Sequence, residues 1–218
     1  MRTIAFVTQK GGSGKSTLAS SLAVAAQEMR EKVGVVDMDP QGSLMSWLKT
    51  RGSDDIEVVA SGAARLPGVL ARLKGKGCTL AIIDTPGAEG PASAAAMEIA
   101  DLNIIPSRPS MFDLWASANT RAALKAVGGE FVFLLNQCPP AQQTARVRDG
   151  VEALEEMGGL ISPLVLARVD YQEAARHGLG VTELNPEGAA AEEMRALWVS
   201  IRRRLARIKP RTAGRQAA

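Results

Sequence analysis

With two cysteines, one histidine and no long apolar run, this 218-residue chain lacks most devices by which proteins are stapled, metallated or anchored. Cys78 and Cys138 cannot build a disulfide framework, so a reducing, cytoplasmic setting is expected. The lone His177 lies in Arg176-His177-Gly178, which reads as an exposed turn, and no chemistry is assigned to it. No stretch approaches the roughly 20 apolar residues of a membrane-spanning helix. Only Met1 and Arg2 precede the first strand-like run, so no signal peptide is expected. A further deficit is local: residues 194–218 hold no Asp or Glu but eight Arg and Lys, so a total charge of +3 leaves −5 on the first 193 residues.

That basic segment has its own pattern. Met194, Leu197, Trp198, Ile201, Leu205 and Ile208 recur at three- to four-residue spacing, which predicts an amphipathic helix with a cationic face. Its apolar side would dock on the domain core. The arginines are read first as a DNA-facing surface that grips phosphates without sequence preference. Mere solvation ranks second, and a helix lying on an anionic membrane third.

What the chain has in quantity is alternation of strand-like and helix-like runs. Apolar stretches at residues 3–8, 32–37, 56–60, 79–84, 102–106, 131–136 and 164–167 read as strands. Helical patterns fall at 16–30 and near 42–50, 62–74, 91–100, 110–127, 142–157 and 188–208. This predicts an α/β fold: one domain with a mostly parallel, twisted sheet and helices on both faces. Residues 1–208 form that domain, and 209–218 a basic tail expected to be disordered.

The first strand and helix flank Gln9-Lys10-Gly11-Gly12-Ser13-Gly14-Lys15-Ser16-Thr17, which ends in the GK[ST] of a phosphate-binding loop but has glutamine where a glycine is usual. Glycines 11, 12 and 14 let backbone N–H groups converge on phosphate oxygens, and the N-terminus of the next helix adds a favourable dipole. Lys15 is expected on the β/γ-phosphates and the Ser16 hydroxyl on Mg²⁺. Two further strand-like segments end in acids: residues 32–40, with Asp37 and Asp39, and residues 79–87, with Asp84. Ligands of open parallel sheets sit beyond the carboxyl ends of strands, so these groups converge with the loop. Asp84 suits holding Mg²⁺ through water, and Asp39 suits orienting an attacking water. Asp37 is equally well read as a helix cap or turn residue.

Lys10-Gly11-Gly12-Ser13-Gly14-Lys15-Ser16-Thr17 resembles the deviant Walker A motif of the ParA/MinD ATPases. Val36-Asp37-Met38-Asp39-Pro40-Gln41-Gly42 and Ile83-Asp84-Thr85-Pro86 resemble their next two motifs. Ile105–Ser110, Phe133–Gln137 and Arg168–Ala174 are also similar, and short, ParF-like partition ATPases match best. The resemblance implies an Mg²⁺-dependent ATPase that binds ATP/ADP and forms an ATP-dependent sandwich homodimer. Lys10 would reach the partner's phosphates, making Lys10, Lys15 and Asp39 the catalytic set. Gly11, Gly12, Ser13, Gly14, Lys15, Ser16 and Thr17 would hold the phosphates, Asn136 would lie near adenine, and Ser16, Asp39 and Asp84 would serve the metal. It further implies non-specific DNA binding on the nucleoid and a ParB-like adaptor protein, with plasmid or chromosome segregation as the task. DNA-contacting arginines of some relatives have no counterpart at Asp170 or at Glu187–Gly188, which leaves Arg168, Arg176 or the terminal cluster. The alternatives are a positioner of another cargo, such as chemoreceptor clusters or T-DNA, and a MinD-like membrane-cycling ATPase, although a membrane partner is not expected. An iron–sulfur reductase of related fold would need paired cysteines at a dimer face, a context that Cys78 and Cys138 do not provide.

Overall fold

Six short runs rich in Val, Ile, Leu and Phe form strands: β1 (Arg2–Phe6), β2 (Val33–Asp37), β3 (Glu57–Ala60), β4 (Leu80–Asp84), β5 (Leu102–Ser107) and β6 (Phe131–Leu135). The computed structural model describes residues 1–140 and 144–211. All six strands pair in parallel, in the order β3-β2-β4-β1-β5-β6. Every residue of β2, β4 and β5 is buried, as the strands of a parallel sheet covered on both faces must be.

Nine helices join and cover them among the described residues: α1 (Lys15–Glu28), α2 (Ser43–Arg51), α3 (Leu66–Gly75), α4 (Pro91–Ile99), α5 (Met111–Ala126), α6 (Ala145–Glu156), α7 (Val169–Arg176), α8 (Val181–Leu184) and α9 (Ala189–Arg207). The side chains of each strand alternate between two cores. Ile4, Phe6, Val35 and Ile82 face α1, α2, α7 and α9, whereas Ala5, Val7, Val36 and Ile83 face α3 to α6.

Two differences from the sequence reading have physical causes. Leu164–Ala167, expected as a strand, is not one. Val165 and Ala167 donate to the carbonyls of Leu135 and Cys138, but the only pairing is a single bridge between Cys138 and Leu166. The Arg168 amide then closes back on the Leu166 carbonyl and the chain turns into α7, so there is no room for a ladder. Helices α7 and α8, eight and four residues long, had no periodicity long enough to announce them. The expected helix at 142–157 begins at Ala145, and its first positions, 142 and 143, lie outside the described residues.

Helix α9 docks as predicted. Met194, Leu197, Trp198, Ile201 and Leu205 are buried against α1 and α8, and Arg2 caps the helix by donating to the carbonyls of Leu205 (2.7 Å) and Ile208 (3.2 Å). Its apolar face is therefore spent on the core. No helix of the described residues is long and apolar enough to cross a membrane. Beyond it, Arg211 donates to the carbonyls of Met97 and Val127, and positions 212–218 of the expected tail lie outside the described residues. Removing the ring of Trp198, 1 % exposed, should cost about 3–5 kcal/mol of stability. Arg203→Ala on the exposed side of the same helix should cost less than about 0.5 kcal/mol. Urea denaturation of the two variants measures the contrast, and similar losses would refute this packing.

Candidate nucleotide site

The loop between β1 and α1 arrives at the carboxyl edge of the sheet, where register puts three strand ends side by side: Phe6 opposite Asp84, and Asp84 opposite Asp37. Helix α1 starts without a cap. Gly14 occupies its N-cap position with φ 91°, no side chain accepts from the first-turn amides, and the first turn holds no acid. Free N–H groups and the positive end of the helix dipole thus face the loop, an arrangement suited to an anion.

Backbone contacts leave little freedom there. A Cβ on Gly14 would sit 2.5 Å from the Asn136 amide nitrogen, and one on Gly87 would sit 2.9 Å from the Gly11 Cα. The segment after β4 therefore presses directly on the loop, which only a glycine permits. From the other side, Asn136 donates to the Ser13 carbonyl at 2.8 Å and Gln137 to the Gly12 carbonyl at 3.0 Å. Arg108 lies beside Gly12, and the Gln9 amide donates to Thr120 on α5.

Within this frame Ser16 donates to one oxygen of Asp84 at 2.6 Å. Asp84 is wholly buried, and its other oxygen has no hydrogen-bond partner. Burial is the main force on its carboxyl, with the nearby negative charges of Asp37 and Asp39 adding to it. Ser16 and the positive charge of Lys15 oppose, and the pKa ends up at about 7. Lys15, 7 % exposed, is pushed the other way: burial lowers its pKa against the attraction of Asp84 and Asp39, and its ammonium rests on the Lys10 carbonyl at 3.4 Å.

Asp37 resolves as the cap. Its carboxylate accepts from Leu44 at 3.0 Å and Met45 at 3.1 Å, the first turn of α2, and from the Asp39 amide at 3.1 Å. Asp39 is half-buried and accepts from the Gln41 amide at 2.9 Å. It lines a cleft of about 550 Å³ together with Gly11, Gly12, Gly14, Lys15, Ser16 and Thr17. Asp84, Asn136 and Ser13 stand behind this lining, the first beneath Ser16 and the other two on the loop's inner side. Sequence reasoning did not anticipate the far wall, built by Trp47 and Thr50 of α2 and Arg176 of α7. Arg176 was weighed only as a DNA contact, and nothing in the linear pattern turns Trp47 or Thr50 towards the phosphate loop.

Lys10 is half-buried and takes part in no ion pair among the described residues. Its charge reaches Asp113 on α5. Burial raises the Asp113 carboxyl, but hydrogen bonds from Arg108 and Ser110 and the charges of Arg108 and Lys10 bring it below the usual range. Arg168, a candidate for DNA contact, is instead tied to Glu193 at 2.6 Å.

The donor set suits magnesium that arrives with a nucleotide. Asp84 offers an orphaned buried oxygen beside the Ser16 hydroxyl, and the described residues contain no cluster of three or more metal-binding side chains that would hold an ion alone.

Comparison with known proteins agrees with this geometry. Residues 4–181 match the family profile described as the CobQ/CobB/MinD/ParA nucleotide binding domain. The chain is 33% identical over 203 residues to a maintenance of carboxysome distribution protein A from Gloeobacter kilaueensis, covering 88% of this chain and 89% of that one. It is 30% identical over 146 residues to the chromosome partitioning protein ParA of Caulobacter vibrioides, covering 65% and 49%. The solved structure of an apo McdA from Cyanothece superposes with a TM-score of 0.76 at 19% identity, over 94% of this chain and 99% of that one.

Because the carboxyl of Asp84 is raised from 3.8 to about 7, the unfolded chain gives up this proton first as pH rises. Without nucleotide, stability should fall across that window by at most a few kcal/mol. Asp84→Asn should therefore be more stable than wild type at pH 8, with the gap closing towards pH 4. Urea melts over a pH series test this, and a gap independent of pH would count against an ionised, unpaid carboxylate.

Proposed function

Because the chain belongs to the CobQ/CobB/MinD/ParA nucleotide-binding family, we propose that it is an ATP-hydrolysing switch that positions a cargo, cycling between an ATP-bound homodimer and separate subunits. The observation that carries this reading is the likeness to a carboxysome-distribution protein along nearly the whole of both chains. It favours an intracellular body as cargo over a plasmid or chromosome handled with a ParB-like adaptor, because the likeness to the Caulobacter partition protein is shorter. A MinD-like membrane cycle is disfavoured by the burial of the apolar face of α9.

In this reading the amides of Gly11 to Gly14 and the hydroxyl of Thr17 receive the phosphates, and Lys15 neutralises the β/γ end. Asn136 steadies the loop and stands on the side where adenine would lie. Mg²⁺, when bound, would screen the phosphate charge; Ser16 and, through water, Asp84 would hold it, with Asp39 nearby. Asp39 orients the attacking water, since phosphoryl transfer demands positioning and charge neutralisation above all. Lys10 is supernumerary in its own loop, where Lys15 is already buried. Its ammonium is free to meet the phosphates of a facing copy, so that ATP joins two subunits and hydrolysis releases them.

Lys10→Ala should bind ATP and remain monomeric, whereas Asp39→Ala should accumulate as an ATP dimer with little turnover. Light scattering with and without ATP, alongside phosphate release, distinguishes them; a Lys10→Ala protein that dimerises with ATP would rule out the sandwich. Tracking along the nucleoid would use DNA contacts. Arg202, Arg203 and Arg207 of α9 are exposed and unpaired among the described residues, while Arg195 and Arg204 are bound to Glu28 and Glu130. DNA affinity should fall steeply with salt, and reversing the charge of those three arginines should flatten the response. A salt-independent affinity would exclude this surface.

A further inference from the structure

Few large apolar side chains of the described residues are strongly exposed, and three of them stand together at the start of α5: Met111 (59 %), Phe112 (70 %) and Trp115 (58 %). The rings of Phe112 and Trp115 meet edge to face with centroids 5.5 Å apart, so the patch is a formed surface rather than scattered side chains. Its base is rigid. Ser110 caps α5, and the buried Asp113 between the two aromatics is held by Arg108 at 2.9 Å.

The patch adjoins the phosphate loop. Arg108, which holds Asp113, also lies beside Gly12; Thr120 of the same helix receives the Gln9 amide; and the charge of Lys10 reaches Asp113. The aromatic surface and the unpaired Lys10 therefore flank the same loop. Both are groups that another molecule would complete.

We propose that a second copy of this chain covers Met111, Phe112 and Trp115 when two ATP-loaded subunits close on each other, so that this patch is the apolar anchor of the nucleotide-dependent dimer. The inference rests on the sandwich reading above and adds to it a named contact. Lys10 supplies charge complementary to the phosphates of the facing copy, and the patch beside it supplies what charge cannot, namely area removed from water. Met and aromatic side chains are the types enriched in interface cores.

Size explains why such a dimer would need ATP. Taking about 200 Å² for each fully exposed large side chain, the patch offers on the order of 350–400 Å² per copy. A stable interface of standard size buries about 800 Å² per partner. The patch alone is about half of that, too little to hold two subunits together, and enough to matter once nucleotide joins the neighbouring loops. A symmetric pair would meet through the same surface on each copy, which closes the assembly at two.

The three tryptophans make the test direct, because Trp47 (5 %) and Trp198 (1 %) are buried and Trp115 alone is exposed. Acrylamide quenching of the full-length protein should drop on adding Mg-ATP, increasingly at higher protein concentration, and should stay unchanged in Lys10→Ala. In parallel, Phe112→Ser/Trp115→Ser should bind a fluorescent ATP analogue as wild type does. Its ATP-dependent dimer, followed by sedimentation velocity, should be weakened at least 100-fold. Both substitutions are on exposed side chains, and retained nucleotide binding confirms folding. If the double variant dimerises like wild type while Lys10→Ala does not, the patch is not the anchor and the sandwich stands. Should wild type stay monomeric with ATP, or Lys10→Ala dimerise normally, the sandwich and the anchor fail together.

Discussion

The 2.6 Å hydrogen bond from Ser16 to Asp84 ties the first turn of α1 to the end of β4, and the shape of the site follows from that tie. Because Phe6 and Asp84 are register partners, the bond spans one strand spacing and draws the helix start down onto the sheet edge. The chain after β4 then runs so near the loop that Gly87 touches Gly11, and Thr85 donates to the Phe6 carbonyl at 2.8 Å. A loop held on both sides offers preorganised amides, which is what an anion site needs if it is not to reorganise when filled. The cost is electrostatic: a wholly buried carboxyl that resists ionisation and a buried lysine that resists protonation, each partly offset by the other.

A second set of ties determines where the cleft ends. Asp37 spends its carboxylate on capping α2, so the following residue pair carries Asp39 into the cleft while α2 is held firm. At its far end α2 is pinned by Arg51, which bonds Asp55 at 2.6 Å, Glu183 at 2.7 Å and the Gly178 carbonyl at 3.1 Å, while the Trp47 indole donates to the Leu179 carbonyl. These bonds join the wall of the cleft to the α7–α8 corner. Asp39 and that corner are thus joined through one firmly held helix.

Much of this was legible along the chain. Alternation of apolar runs located all six strands, and the glycine-lysine loop with its strand and helix located the phosphate site, because local patterns encode both. The role of Asp37 was not decidable in that way. Its capping depends on α2 turning back beneath the end of β2, and a cap and a metal ligand look alike as an aspartate after a strand. The stretch at 164–167 misled for the opposite reason: its composition suits a strand, but an early turn into α7 removes the ladder. Trp47, Thr50 and Arg176 were invisible as site residues, since they meet only across packed helices.

Lys10 and the patch on α5 show where the division falls. The amino-acid sequence by itself determined the fold class, the phosphate loop and the surplus of one lysine over what a single loop requires, since each depends on residues close along the chain. Only the tertiary structure decided that Asp84 is buried with one oxygen unmatched, that Asn136 buttresses the loop, and that Phe112 and Trp115 stand exposed on the helix that receives the Gln9 amide. Burial and adjacency are sums over elements far apart in the chain. They come into being when β1, β4 and α5 are packed around one loop.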